Sequence, residues 1–185
     1  MLPGMLLCIS YPDYIKYSFI CFMLAGICDM LDGFVARKCK RTDEEKEFGV
    51  QLDSLVDVFS FIAFPIVLLI SVGLNEWYHA IVLSLYAICG VARLGYFNIM
   101  IADSSKAVKY YEGMPVTFAA LIFPVFYLLK LCVETSILNI GLTIATTLIA
   151  VLFIAKFRIK KPGVKIYFVF GLLAIILVTV YCVYM

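Results

Sequence analysis

The sequence predicts an all-α, polytopic transmembrane helix bundle of six spans, preceded by an N-terminal helix fragment. Three observations predict it. Of the 185 residues, 64% are hydrophobic and 15% charged, against ~45–50% and ~25% in soluble domains. Apolar runs long enough, or nearly so, to cross a hydrocarbon layer recur six times. Twelve of the fifteen basic residues fall on alternate connections between those runs. One membrane domain covering residues 1–185 accounts for all three.

The fragment at 2–9 comes first and is too short to cross alone, as though an earlier helix were cut short. The six spans are expected at 15–35, 50–72, 78–101, 116–131, 137–157 and 164–184. Trp77, Tyr78, Tyr110 and Tyr111 stand at span ends, where aromatic side chains anchor in the interface. Basic residues crowd the connections at 37–46, 102–113 and 156–165, and the opposite connections carry almost none. The bias places the basic side in the cytoplasm and the C-terminus outside, in a multi-pass cell-membrane protein. His79 then lies on the outer side, in an interfacial role, and the polar run 42–47 reads as a solvated loop.

Other classes find little support. The seven cysteines make no C-x-x-C pair and sit mostly in apolar runs, as small hydrophobes do. No basic n-region with a cleavage pattern marks a signal peptide. Net charge is +2, topology accounts for the basic residues, and no nucleic-acid partner is expected.

Charged groups within spans are costly unless paired or hydrated, so they point to function. Four aspartates cluster near the cytoplasmic ends of two consecutive spans. The first pattern is D-x-x-D-G-x-x-A-R, with Asp29, Asp32, Gly33, Ala36 and Arg37; the second is G-x-x-x-D-x-x-x-D, with Gly49, Asp53 and Asp57. On a helix, Asp29 and Asp32 share a face, as do Asp53 and Asp57. A short connection makes the two helices antiparallel neighbours, so the acidic faces can meet. Four carboxylates in one pocket repel, and hard divalent cations relieve the repulsion; Mg²⁺ or Mn²⁺ suits an all-oxygen set. Four ligands support one or two ions, and a two-ion clamp is one way to handle a phosphoryl group. Gly33, Ala36 and Gly49 leave room on the same face for a diphosphate, and Arg37 can pair with it. A structural ion-pair network fits less well, because acids outnumber cations on that face. A cation pathway explains the acids but not the small residues and arginine among them.

These two patterns together resemble the signature of the CDP-alcohol phosphatidyltransferases, with all eight signature residues present. Eleven residues separate Arg37 from Gly49, a longer gap than the family's commonest, with the extra residues in the polar loop. Within the family the chain is most similar to bacterial and archaeal phosphatidylserine synthases. The stretches 52–65, 92–98 and 111–116 carry that likeness. The resemblance implies an enzyme that moves a phosphatidyl group from CDP-diacylglycerol to L-serine, giving phosphatidylserine and CMP. It implies that Asp29, Asp32, Asp53 and Asp57 hold Mg²⁺ or Mn²⁺, two ions being expected, with Asp57 also the general base. It implies that Gly33, Ala36, Arg37 and Gly49 contact the CDP moiety, and that the enzyme is a homodimer among membrane lipids. Arg93 and Asn98 are expected level with the aspartates, where a guanidinium can grip the serine carboxylate; the competing role for Arg93 is an interfacial arginine reaching for water. Glycerol 3-phosphate or inositol phosphate as acceptor, and divalent-cation transport, are the rival functions. Family members carry a complete helix before the first signature aspartate, so the short fragment at 2–9 bears on nucleotide binding.

Overall fold

The computed structural model describes residues 2–11, 14–36, 39–103, 110–156, 158–160 and 164–184, with backbone alone at 2, 33–36, 101–103, 110–112, 158–160 and 164–169. Among the described residues, the architecture is helical apart from one short ribbon. The elements are α1 (Leu2–Ser10), α2 (Ile15–Ala36), α3 (Asp43–Val72), α4 (Trp77–Asp103), β1 (Tyr110–Glu112), α5 (Val116–Leu131), α6 (Thr135–Ile154), β2 (Arg158–Lys160) and α7 (Val164–Tyr184).

Local chemistry sets the helix ends. Thr42 opens α3 with a capping box: its Oγ1 accepts the Glu45 N–H at 3.2 Å, and Glu45 Oε2 accepts the Thr42 N–H at 2.8 Å. The run 42–47, expected as a loop, is therefore mostly the first turns of a helix. Three acids in the first turn, Asp43, Glu44 and Glu45, suit the positive end of the helix dipole. Gly73 ends α3 with φ +129°, a conformation that costs any other residue a steric penalty. The N–H of Glu76 donates to His79 Nδ1 at 3.2 Å, closing the start of α4. His79 is 4% exposed, so it acts as a buried helix-capping acceptor beside Trp77, which is 75% exposed.

Aromatic pairs run through the interior. Phe19 of α2 stacks on Tyr127 of α5 at 4.3 Å between centroids, and Phe22 meets Phe64 of α3 at 5.5 Å. Tyr86 of α4 meets Phe153 of α6 at 5.5 Å. The helices α4 and α6 pack along one another, α2 packs on α5 and α7, and α1 packs on α2 and the C-terminal part of α3. At Gly90 of α4, an added β-carbon would lie 2.8 Å from Ile62 Cδ1, so the missing side chain lets α3 and α4 approach closely.

Outer faces are apolar too. On α6, Ile137, Ile140, Ile144, Leu148 and Val151 form one exposed stripe, and α4 exposes Ile81, Leu85 and Ile88. Such surface suits lipid rather than water. Among the described residues, three helices are long and apolar enough to cross a bilayer: Asp43–Val72, Trp77–Met100 and Thr135–Ile154. Of the other expected spans, 15–35 is helical as α2. The segment 116–131 contains α-helix only at Ala119–Tyr127, flanked by 3₁₀ turns, and Phe170–Tyr184 is a shorter apolar helix.

Two features depart from a bundle of plain α-helices. First, β1 and β2 pair antiparallel, Tyr110 opposite Lys160 and Glu112 opposite Arg158. The ribbon joins two connections that read as loops in the sequence. Gly113 follows it with φ +77°, where a β-carbon would lie 3.0 Å from the Phe153 carbonyl oxygen. Second, α3 is π-helical over Val58–Ala63, directly after Asp57. Pro65 has no N–H, so the donor that an α-helix would offer the Phe61 carbonyl is missing. The Tyr86 hydroxyl supplies one instead, at 2.6 Å and buried. Tyr86→Phe is therefore expected to cost about 1–3 kcal/mol by stranding that carbonyl, read as a lowered unfolding midpoint of the purified protein in detergent.

Candidate functional site

The acidic faces of α2 and α3 meet. One carboxylate oxygen each from Asp29, Asp53 and Asp57 lies within 4.8 Å of the others. Asp29 comes from the last two turns of α2, and Asp53 and Asp57 from consecutive turns of α3. Along α3 the burial deepens toward the core: Asp53 is exposed, Asp57 half-buried and Phe61 buried. The π turn begins at Val58, so its extra residue per turn separates the phase of the acidic half from that of the apolar half.

This trio fits a hard divalent ion. Mg²⁺ takes oxygen ligands at ~2.1 Å, which puts opposite ligands ~4.2 Å apart, and Ca²⁺-sized ions reach further. Small side-chain movements bring the three oxygens to a common ion. Asp57 Oδ1 is buried with no hydrogen-bond partner among the described residues. A buried carboxylate oxygen without a donor is costly, and a bound cation answers that cost. No lysine or arginine pairs with Asp29, Asp53 or Asp57 among the described residues, so the cluster is not held by a structural ion-pair network there.

The other expected site residues divide into three groups. Asp32 is exposed on α2, one turn beyond Asp29, and is not part of the trio. Gly33 and Ala36 lie on the last turn of α2, with backbone alone described; Arg37 lies outside the described residues. Gly49 lies on α3 one turn before Asp53, on the same face, and a β-carbon there would stand 3.4 Å from Arg41 Nη1. Arg41 was not among the residues the sequence singled out.

From α4, Asn98 reaches α3 beside the trio, and Arg93 lies on the same helix. Asn98 Nδ2 donates to Ser54 Oγ at 2.8 Å, and the Ser54 hydroxyl donates to the Val50 carbonyl at 3.1 Å. Asn98 thus ties α4 to α3 directly beside Asp53. Arg93 is 7% exposed, so it does not reach out for water as an interfacial arginine would. Its guanidinium lies 5.3 Å from the centre of the Phe97 ring and beside Gly113, whose added β-carbon would come within 3.4 Å of Arg93 Nε.

Comparison with known proteins follows the same lines. The family described as CDP-alcohol phosphatidyltransferase matches residues 1–184. A CDP-diacylglycerol–serine O-phosphatidyltransferase of Saccharomyces cerevisiae is 36% identical over 126 residues, 64% of this chain and 44% of that protein. An archaetidylserine synthase of Methanothermobacter thermautotrophicus is 33% identical over 143 residues, 77% of this chain and 59% of that protein. A CDP-diacylglycerol–serine O-phosphatidyltransferase of Methanocaldococcus jannaschii is 33% identical over 150 residues, 81% of this chain and 67% of that protein. The chain spans about half the length of the first two. No solved structure matches it significantly.

Proposed function

The chain belongs to the CDP-alcohol phosphatidyltransferase family, and on that premise we propose that it transfers a phosphatidyl group from CDP-diacylglycerol to L-serine, releasing CMP. The observation that carries the reading is the convergence of Asp29, Asp53 and Asp57, in a chain whose relatives bear that activity in their names. Asp29, Asp53 and Asp57 would hold one divalent ion, and Asp32, a turn away on α2, would serve a second. Mg²⁺ and Mn²⁺ both suit the oxygen donors. When bound, the ions stabilise charge on the phosphate oxygens and the leaving group.

The chain's own residues do the rest. Gly33, Ala36, Arg37 and Gly49 form the bed for the CDP moiety. Arg93 grips the serine carboxylate, and Asn98 fixes the wall of the pocket on which Asp53 stands. Asp57 takes the proton from the serine hydroxyl as that oxygen attacks the β-phosphorus. The new P–O bond forms to serine, the P–O bond to the CMP phosphate breaks, and CMP leaves. Residues 1–185 act as one domain with six spans, as a homodimer, with the basic connections and the site at the cytoplasmic face of the cell membrane. The apolar outer stripes and the basic-residue bias support this arrangement.

A second donor reading has its own support: the archaetidylserine synthase relative acts, by its name, on an archaeal lipid. A site that reads the headgroup accepts either lipid. Purified protein with Mn²⁺ is expected to release CMP from CDP-diacylglycerol when L-serine is added. It is expected to release none with glycerol 3-phosphate, with inositol phosphate or without acceptor. CMP release with either phosphorylated acceptor in place of serine would reassign the acceptor, and metal flux without CMP release would favour a transporter.

A further inference from the structure

The site contains a cation that the signature pattern does not include. Arg41 stands just before the Thr42 cap, and the capping box fixes the direction in which the chain enters α3. The side chain lies over Gly49, with Nη1 3.4 Å from where a β-carbon would be. Gly49, Asp53 and Asp57 recur every four residues, so they line one face of the helix. Arg41 therefore covers the cytoplasmic end of the face whose inner end carries the carboxylates, about 6 Å along the axis from the level of Asp53 at ~1.5 Å per residue.

Among the described residues, no acid answers this guanidinium. Asp43 pairs with Lys46 at 2.7 Å and Glu45 is spent on the cap, and Arg41 pairs with no carboxylate among the described residues. Its Nε is buried without a hydrogen-bond partner there. A buried guanidinium nitrogen with no acceptor wants one, and planar Arg donors match phosphate oxygens in bidentate fashion. Arg41 and the trio thus frame a strip of helix that is bare of side chain at Gly49, positive at one end and carboxylate-lined at the other. A nucleoside diphosphate with its bound metal has the complementary pattern.

We propose that Arg41 binds the diphosphate of the CDP-activated donor, holding non-bridging phosphate oxygens above Gly49. The inference rests on the reading of the site as a CDP site. The test measures binding of CDP and of cytidine, each with Mn²⁺, to purified full-length protein in a neutral detergent by isothermal titration calorimetry. Arg41→Ala is expected to weaken CDP about ten- to a hundred-fold, the range for a hydrogen bond to a charged group, and to leave cytidine unchanged. Arg41→Lys is expected to fall between, because it keeps the charge and loses the fork. CDP affinity unchanged in Arg41→Ala would overturn the proposal and leave the CDP site standing. An effect of Arg41→Ala confined to binding of phosphatidylglycerol micelles would also overturn it, assigning the arginine to a lipid headgroup. Failure of the unaltered protein to bind CDP with metal would instead bring down the CDP site itself.

Discussion

Asp57→Asn is expected to lower turnover by about 10²–10⁴-fold, the range for loss of a general base, with CDP affinity far less affected. The substitution keeps size and shape, so packing against the π turn survives, but it removes the acceptor that takes the serine proton in the proposed mechanism. Asp57 suits that role because it lies one turn deeper on α3 than exposed Asp53 and has a buried oxygen that no donor among the described residues satisfies. Single-turnover CMP release and CDP titration, measured side by side, separate the two contributions. Parallel loss of turnover and CDP binding would make Asp57 a metal ligand only.

Chelation of divalent ions is expected to abolish CMP release, and readdition of Mn²⁺ or Mg²⁺ to restore it. The same site should register in stability without any substrate. An ion that binds only the folded protein, present at a hundred times its dissociation constant, adds about 2.7 kcal/mol. Thermal unfolding in detergent should therefore move upward with Mn²⁺. Asp53→Asn and Asp29→Asn are expected to remove most of that increment, and Asp32→Asn less of it, because Asp32 stands outside the trio. Equal losses at Asp32 and Asp53 would mean that all four carboxylates share one ion cage, contrary to the geometry.

The parts that were legible in the sequence are those set by periodicity. Spacings of three and four brought Asp29 onto one helix face and Asp53 with Asp57 onto another, and a short connection brought the two faces together. Apolar runs gave the helices, because nothing but lipid explains so much exposed isoleucine. What stayed hidden depends on contacts between distant residues. Tyr86 reads as one more apolar position, and only the proline four residues beyond Phe61 hints that a carbonyl there needs a donor. The β1–β2 ribbon pairs two loops nearly fifty residues apart, which no local pattern encodes. Nothing in the local sequence marks Ser54 as a partner, yet it receives Asn98 from α4. Arg41 read as one of many positive-inside residues, and its place over Gly49 follows from how the capping box turns the chain.

On the proposed activity, the passage from exposed Asp53 to buried Phe61 along a single helix has a thermodynamic consequence for a donor with two long tails. Drawing a lipid chain into water costs about 0.8 kcal/mol for every methylene, far more than headgroup contacts can repay. With the proposed site at the membrane face, a reaction centre at that transition would let those tails stay dissolved in hydrocarbon throughout turnover. The polar acceptor arrives from the aqueous side, and neither reactant has to abandon its own solvent.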